Sequence, residues 1–214
     1  MNTRELNDRL AASPAAAIAW NELAGDGVWV VGGAVRDAIL GRDVVDVDLA
    51  VSEGEREAAR AIAKAAGGHA FELSAEFATW RAVAPEGWHV DVARLRGPGI
   101  EADLSARDFT INAIAVPVAP AGGDPLDPTG GLADLEAGVL RAPSASAFED
   151  DPLRLLRAAR LVAELGFRLD EQTMELGRAT GPRAGDPAGE RQLSELQLLF
   201  ASSDPVAGDR KSVV

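Results

Sequence analysis

The sequence contains no cysteine, which excludes a disulfide framework, a thiolate metal site and a nucleophilic thiol. Lysine is also scarce: Lys64 and Lys211 are the only two, and all other basic residues except the two histidines are arginines. No apolar run approaches the length of a membrane span, and residues 1–14 are charged and amphipathic without an apolar signal core. We therefore expect a soluble protein of the reducing cytoplasm with no membrane partner.

Acidic residues outnumber basic ones, and the formal net charge is −13. A negative field of this size repels nucleic acid at long range, so RNA capture by this chain alone should be weak. With 214 residues, of which 47% are hydrophobic, the chain can form one medium domain or one domain with a helical extension. Nothing in the sequence indicates the oligomeric state.

Hydrophobic periodicity predicts strands mixed with helices before residue 118, and only helices after residue 150. Glycines mark several predicted helix ends, such as Gly41 and Gly166. The predicted strands are 28–31, 45–51, 78–84 and 89–95. The predicted helices are 3–24, 34–40, 53–66, 151–165, 170–180 and 190–201, followed by a tail over 202–214. In the fourth of these helices Asp151 is expected to be the cap and Pro152 the first helical residue.

Two aspartates stand in one predicted strand, separated by a single residue. Because side chains alternate along a strand, Asp46 and Asp48 should leave one face, and the apolar Val45, Val47 and Leu49 should leave the other. Two converging carboxylates repel each other unless a cation lies between them, and Mg²⁺ is the usual cation where phosphates are the substrate. Taken alone, the pattern favours two solvated acids on an edge strand.

A glycine pair upstream of the aspartates favours the metal interpretation. Gly32-Gly33 stands at a predicted strand-to-helix turn, where backbone amides can approach a triphosphate closely. A plain tight turn is the alternative. Asp91, on a neighbouring predicted strand, could complete the metal site and accept a proton, or could be a surface acid. His69 and His89 lack metal-ligand spacing and are interpreted as incidental.

Strand, glycine turn, short helix and acidic strand together resemble the nucleotidyltransferase superfamily of the polymerase-β type. The run from Val31 to Arg42, followed by residues 46–50, closely resembles motif A of the class II tRNA CCA-adding enzymes and bacterial poly(A) polymerases. Residues 107–113 resemble the Arg-Arg-Asp-Phe-Thr motif of that family, which is associated with ribose and triphosphate recognition. Ala106 replaces the first arginine of that motif.

Later runs are similar to the hinge and neck of the same family. Residues 127–141 look like the hinge, and residues 150–160 resemble the nucleobase-selecting motif, in which Asp151 and Arg154 are the residues that matter. Glu190-Arg191 and Glu195-Leu196 resemble the last neck motif, less specifically.

The resemblance implies an α+β fold in two domains. Residues 1–138 would form the catalytic head, a polymerase-β-type mixed β-sheet with flanking helices. Residues 139–214 would form an all-α neck that selects the nucleobase and ends in a flexible tail.

The base-selecting pair also has a physical rationale. Residues i and i+3 of a helix share a face, so Asp151 would offer an acceptor beside the donors of Arg154. Cytosine and adenine each present an amino donor next to a ring-nitrogen acceptor, whereas guanine and uracil present the opposite order. One such pair can therefore accept CTP and ATP and refuse GTP and UTP. An ordinary ion pair on a helix surface is the alternative.

The resemblance implies a Mg²⁺-dependent enzyme in which the 3′ hydroxyl of an RNA, tRNA in the family, attacks the α-phosphate of ATP or CTP and releases pyrophosphate. Asp46 and Asp48 are the implied metal ligands and, with Asp91, the implied catalytic residues. The implied nucleotide-binding residues are Gly32, Gly33, Arg36, Arg107, Asp108, Asn112, Asp151, Arg154, Arg157 and Arg160.

Two departures from the family pattern leave questions open. Residues 96–106 form a short segment where CCA-adding relatives carry a longer flexible loop, linked to switching from C to A addition. The sequence therefore leaves open whether CMP, AMP or both are added, and to which RNA. The alternative function is a shortened nucleotide-binding module that is inactive alone, or one half of a split enzyme needing a partner for RNA binding. Ala106 favours that alternative, and the acidic pair opposes it.

Overall fold

A computed structural model describes residues 1–25, 27–119 and 122–202. Most of the predicted tail, residues 203–214, lies outside the described residues. The chain divides into two compact units. We call them the sheet unit, built from residues 1–104 and 112–128, and the helical unit, built from residues 105–111 and from Thr129 onward.

A mixed six-stranded β-sheet forms the centre of the sheet unit. Its strands are β1 (Val28–Val31), β2 (Val47–Val51), β3 (His69–Ser74), β4 (Thr79–Val83), β5 (His89–Arg94) and β6 (Ala115–Pro117). The strand order is β3-β4-β5-β2-β1-β6. β2 and β5 are parallel, and the other neighbours are antiparallel. The predicted strands at 28–31, 78–84 and 89–95 are confirmed, apart from single residues at their ends.

The central strands are buried because they are short runs rich in valine, which packs well on a pleated surface. Val30 and Val31 of β1, Leu49 of β2, and Val90 and Val92 of β5 are all buried. These strands carry the candidate site at their ends, so the core fixes the backbone from which its side chains project.

Helices flank the sheet. Those before residue 106 are α1 (Thr3–Ala11), α2 (Pro14–Leu23), α3 (Gly33–Leu40), α4 (Glu55–Ala65) and α5 (Ile100–Ser105). The prediction of one helix over residues 3–24 is wrong, because Pro14 cannot continue α1 and the Ser13 hydroxyl accepts a hydrogen bond from the Ala16 amide at the start of α2. α3 ends as predicted at Gly41, whose φ of 72° suits glycine.

The acidic strand begins two residues later than predicted. β2 starts at Val47, and Asp46 lies in a bend immediately before it. Val45, predicted to share the buried face with Val47, is 60% exposed. The alternation of apolar and acidic residues therefore begins two residues before the strand does.

The helical unit contains five α-helices and one short pair of strands within the described chain. They are α6 (Gly131–Ala137), β7 (Val139–Leu140), α7 (Ala147–Asp150), α8 (Arg154–Leu165), β8 (Arg168–Leu169), α9 (Glu171–Thr180) and α10 (Gly189–Ala201). β7 and β8 pair in parallel. Phe109 and Phe148 meet edge to face in the core of this unit, with ring centroids 6.3 Å apart.

Local signals at the helix ends of this unit are confirmed. α8 ends at Gly166 in the left-handed conformation, with φ of 71°. Asp170 caps α9, because its carboxylate accepts a hydrogen bond from the Thr173 amide at 3.2 Å. A mixed sheet with flanking helices, followed by helices, confirms the predicted α+β class. The division into a head and a neck at residues 138 and 139 stays a prediction.

Among the described residues, none of the helices combines the length and the apolar character that crossing a membrane requires.

Candidate functional site

Strand register brings the glycine turn and the aspartates together. β1 is antiparallel to β2 and pairs Val31 with Asp48, so the turn that follows Val31 begins beside Asp48. β5 is parallel to β2 and pairs Asp91 with Asp48 on the other side. Two carboxylates therefore stand side by side on neighbouring strands, because directly opposed residues point to the same face of a sheet.

The turn and the acidic pair line one cleft of about 350 Å³ in the sheet unit. Gly33 is in its wall with four aspartates: Asp37, Asp43, Asp46 and Asp48. Asp46 and Asp48 are both exposed, as the sequence predicts for a pair that faces away from the core. A cleft with this much negative charge favours cations, and a triphosphate could enter it only together with them.

Asp46 is held by His89, the first residue of β5. The His89 amide donates to Oδ1 of Asp46 at 3.0 Å, and Nδ1 of the imidazole lies 2.8 Å from the same oxygen. Both contacts fall on Oδ1, so the carboxylate is oriented while Oδ2 is left outside this interaction. His89, interpreted from the sequence as incidental, contacts one of the predicted metal ligands.

Asp91 forms a two-pronged ion pair with Arg81 of β4, its neighbour in the antiparallel register. Nε of Arg81 donates to Oδ1 at 2.6 Å, and Nη2 donates to Oδ2 at 2.7 Å. The pKa of Arg81 is raised above its ordinary value, mainly by these hydrogen bonds to Asp91. Burial lowers this pKa, and the negative charges of Asp91, Asp46 and Asp48 raise it further.

Arg36 is buried beneath the glycine turn. Its guanidinium donates to both carboxylate oxygens of Asp37, at 2.9 and 2.8 Å, and to the side-chain oxygen of Asn112 at 3.0 Å. A Cβ on Gly33 would lie 3.6 Å from Nη2 of Arg36. Arg36 and Asn112, both predicted to bind nucleotide, are thus brought together, and their observed contacts support the turn from below.

Gly32 has a backbone conformation that requires glycine. Its φ is 72° and its ψ is −137°, a combination that residues with a side chain rarely adopt. The following residue, Gly33, begins α3, so its amide and those after it are at a helix N-terminus. The predicted turn is therefore present. It leads directly into a helix N-terminus, which favours a negatively charged group such as a phosphate.

The cleft residues fit a hard divalent cation. Carboxylate oxygens are the ligands that Mg²⁺ prefers, and Asp46 and Asp48 present them at the same cleft. No three carboxylate, imidazole or thiol groups among the described residues converge closely enough to hold a metal by themselves. Mg²⁺ commonly completes its octahedron with water and substrate phosphates, so two aspartates suit a site shared with a nucleotide.

The remaining predicted residues belong to the helical unit. Asp108 accepts hydrogen bonds from Nε and Nη2 of Arg157 at 2.9 and 2.7 Å. Arg157 also donates to Glu195, whose other oxygen accepts from Arg160 at 2.7 Å. The negative charge of Asp108 is the main cause that raises the pKa of Arg157. Burial lowers this pKa, and the charge of Glu195 raises it. Asp108, Arg157 and Arg160 therefore form one network through Glu195, and Arg107 is half-buried beside Asp108.

Asp151 and Arg154 do not share a helical face. α8 begins at Arg154, and Asp151 is extended, with φ of −148° and ψ of 100°. The prediction of an i, i+3 pair on one helix is wrong because Asp151 precedes the helix and accepts from the Leu153 amide, as a capping residue does. Its other oxygen accepts from Arg191 at 2.7 Å. The buried guanidinium of Arg154 donates to the carbonyl oxygens of Ala147 and Ala106.

Arg81 was missed by sequence reasoning, and the role of His89 was missed with it. Both contacts depend on strand register, which alternation alone does not give. The one available signal was the short Pro85-Glu86-Gly87 turn, since it limits how the strands on either side can pair.

Comparison with known proteins gives consistent matches. A family model described as the poly(A) polymerase head domain matches residues 28–141. The chain is 46% identical over 173 residues to the CC-adding tRNA nucleotidyltransferase of Geobacter sulfurreducens, which covers 80% of this chain and 40% of that protein. It is 43% identical over 187 residues to the A-adding tRNA nucleotidyltransferase of Deinococcus radiodurans, which covers 85% of this chain and 42% of that protein.

The fold is also similar to solved structures. The Thermotoga maritima CCA-adding enzyme complexed with tRNA matches with a TM-score of 0.83 and 31% identity, over 98% of this chain and 54% of that chain. This similarity confirms the predicted head and the helices that follow it. The chain spans less than half the length of the two tRNA nucleotidyltransferases to which it was compared.

Proposed function

The chain belongs to the poly(A) polymerase head-domain family, and from this membership we propose that it is a template-independent nucleotidyltransferase that adds CMP or AMP, from CTP or ATP, to the 3′ end of a tRNA. The single observation that carries the proposal is the cleft that Gly33, Asp46 and Asp48 line together. A cytoplasmic location is part of the proposal, since a chain without cysteine suits a reducing compartment.

Residues of the sheet unit perform the binding in this account. Backbone amides at Gly32 and Gly33 receive the triphosphate, because the turn exposes them and the N-terminus of α3 favours negative charge. Arg36 stays beneath the turn and, with Asn112 and Asp37, keeps its backbone in place.

Asp46 and Asp48 would hold Mg²⁺. When bound there, Mg²⁺ lowers the pKa of the attacking 3′ hydroxyl and neutralises the charge that develops on the leaving pyrophosphate. His89 fixes Oδ1 of Asp46, so the carboxylate keeps one orientation before substrate arrives. The bond from the 3′ oxygen to the α-phosphorus forms as the bond from that phosphorus to pyrophosphate breaks, and the proton of the hydroxyl passes to water.

Selection of the base is proposed for the helical unit. Arg107 and Asp108 would contact sugar and phosphates. Asp151 and Arg154 would contribute separate contacts to the amino group and ring nitrogen that cytosine and adenine share, since Asp151 precedes α8 and Arg154 begins it. The network through Glu195 supports this, since it fixes Asp108 through Arg157. Arg160 acts in the same network as a second anchor for Glu195.

The acceptor is proposed from the relatives. The two relatives described above are named for adding CC and A to tRNA. We therefore propose that the acceptor is a tRNA that lacks part of its 3′ end. The net charge of −13 opposes RNA binding, so we propose that capture of tRNA depends on additional domains or a partner chain, and is weak without them.

Incubating the purified chain and Mg²⁺ with tRNA ending before CCA, before CA or before A, and with one labelled nucleotide at a time, tests this function. We expect CMP or AMP in the product and no GMP or UMP. Binding of CTP or ATP without incorporation on any acceptor would instead support a nucleotide-binding module that needs a partner. Incorporation of all four nucleotides would contradict the proposed base selection.

A further inference from the structure

Arg81 stands on the same face of the sheet as the aspartates. Asp48 pairs with Asp91 across β2 and β5, and Asp91 pairs with Arg81 across β5 and β4. The preceding residue, Trp80, faces the other way, towards α4, where the guanidinium groups of Arg56 and Arg60 lie 5.3 and 5.7 Å from the centre of its ring. Alternation along β4 therefore places Arg81 on the face opposite α4, in one row with Asp91 and Asp48.

The ion pair engages both oxygens of Asp91. A guanidinium matches a carboxylate with two parallel hydrogen bonds, and the distances of 2.6 and 2.7 Å are those of a short charge-assisted pair. The Asp91 side chain is only 17% exposed and that of Arg81 is 29% exposed, so water screens the pair less than it screens a surface pair. Those hydrogen bonds use one lone pair of each oxygen, so a metal ion that approached Asp91 would have to share the carboxylate with Arg81 and meet its positive charge.

The charge of Arg81 also changes the electrostatic surroundings of Asp46 and Asp48. Arg81 stands two strands from Asp48 in the same row of the sheet, so its positive charge opposes the negative charge of the carboxylates that line the cleft. A cation approaching those aspartates meets their attraction and the repulsion of Arg81 at the same time. A triphosphate brings several negative charges, which offset that repulsion, and it also brings the oxygen ligands that the metal lacks.

We propose that Arg81 is a positioning residue that keeps Asp91 out of the metal site and makes tight binding of the divalent cation depend on the nucleotide. The inference rests on the proposed function for the identity of the nucleotide, and on the observed ion pair for the role of Arg81. It assigns to Asp91 the task of anchoring Arg81. The metal then enters together with the triphosphate, and the empty cleft does not accumulate cations that would have to leave first.

Binding of Mn²⁺ alone, followed by the electron paramagnetic resonance signal of the free ion, tests the proposal without any reaction. Replacement of Arg81 by glutamine removes the repulsion and releases Asp91, so R81Q should bind Mn²⁺ about tenfold more tightly than the original chain. The double variant R81Q/D91N removes the released carboxylate as well, and most of that gain should be lost. If Arg81 merely held Asp91 ready as a metal ligand, R81Q would bind Mn²⁺ more weakly.

The sheet contains a matched control. Arg94 of β5 forms a similar two-pronged pair with Glu55 of α4, at 3.1 and 3.0 Å. R94Q removes the same charge from the chain and should leave Mn²⁺ affinity within about twofold, because Arg94 lies at the other end of β5 from the aspartates. R81K keeps the positive charge and should stay close to the original affinity. Circular dichroism and thermal unfolding would establish that each variant is folded.

Coupling to the nucleotide is measured by the factor by which Mn²⁺ tightens binding of a non-reacting α,β-methylene CTP. Linkage makes this factor equal to the effect of the nucleotide on the metal, and it should be several times smaller in R81Q than in the original chain. A folded R81Q whose Mn²⁺ affinity is unchanged or weaker, or an R94Q that gains as much, would overturn the role of Arg81 while leaving the metal site intact. Absence of Mn²⁺ binding in every variant, with and without nucleotide, would overturn both this inference and the proposed function.

Discussion

Asp48 and Asp91 are directly opposite each other on parallel strands, yet they have different surroundings. Asp48 is exposed at the cleft beside the glycine turn, whereas both carboxylate oxygens of Asp91 accept hydrogen bonds from Arg81. Two carboxylates on neighbouring strands at the same level would repel each other, and the guanidinium offsets part of that repulsion. The arrangement separates a carboxylate that can meet a metal from one that stabilises its surroundings.

Replacement of Asp48 by asparagine should abolish incorporation while preserving the fold. Loss of one anionic metal ligand should cost about 4 kcal/mol of transition-state stabilisation, which is about a thousandfold in rate. The measurement is single-turnover incorporation of labelled CMP or AMP. Asp43 lines the same cleft, so D43N removes the same charge without removing a proposed ligand and should retain most activity. Equal losses in D43N and D48N would show that the cleft needs only its total charge.

The two glycines of the turn should differ on substitution by alanine. Gly32 has a φ of 72° and a ψ of −137°, so G32A should lower the free energy of unfolding by about 1–3 kcal/mol. At Gly33 a Cβ would meet Arg36 at ordinary contact distance, so G33A should fold normally but keep phosphates away from the amides. We expect G33A to weaken CTP binding about tenfold, or about 1.4 kcal/mol. Urea unfolding and nucleotide titration measure the two effects, and a G33A that binds CTP normally would remove the turn from the phosphate site.

Glu195 should be important for the stability of the helical unit. It is 6% exposed and joins Arg157 to Arg160, so E195Q should lower the free energy of unfolding by about 2 kcal/mol. Glu164 bonds Arg160 one turn along α8, and its side chain is 27% exposed against 8% for that of Glu195, so E164Q should cost less, about 0.5 kcal/mol. Urea unfolding of the two variants makes the comparison. Equal stability of E195Q and the original chain would contradict the network.

Arg154 should contribute to stability as well as to the choice of nucleotide. Its guanidinium donates to the carbonyl oxygens of Ala147 and Ala106 at 3.0 and 2.8 Å, so R154A should cost about 2–3 kcal/mol. The exposed Arg168 offers a control, and R168A should change stability by about 0.5 kcal/mol or less. An R154A variant as stable as the original chain would mean that these two hydrogen bonds contribute nothing to folding.

Local signals in the sequence predicted much of the fold. The strand at 28–31, the glycine ends of α3 and α8 and the helix over 170–180 follow from local residue patterns, and the structure confirms them. β3 was missed because it is an edge strand, most of whose residues are exposed, so its apolar residues do not alternate between a buried and an exposed face. Its position is fixed by pairing with β4, which is a long-range property.

The candidate site was predictable in its residue types but not in its contacts. A glycine turn followed by paired aspartates is a short-range pattern, and the cleft does contain Gly33, Asp46 and Asp48. The ion pair between Arg81 and Asp91 depends on the register of two strands, which periodicity leaves undetermined. The pairing predicted for Asp151 and Arg154 failed for a related reason, because the helix begins one turn later than the pattern suggested.

Crystals of the chain grown with Mn²⁺ and α,β-methylene CTP would locate the metal through its anomalous scattering and show whether the acidic pair and the glycine turn bind one metal-bound nucleotide. We predict a Mn²⁺ peak about 2.2 Å from carboxylate oxygens of both Asp46 and Asp48, with the triphosphate on the amides of Gly32 and Gly33 and Arg81 still paired with Asp91. A nucleotide bound elsewhere, or a metal that contacts neither aspartate, would contradict the account.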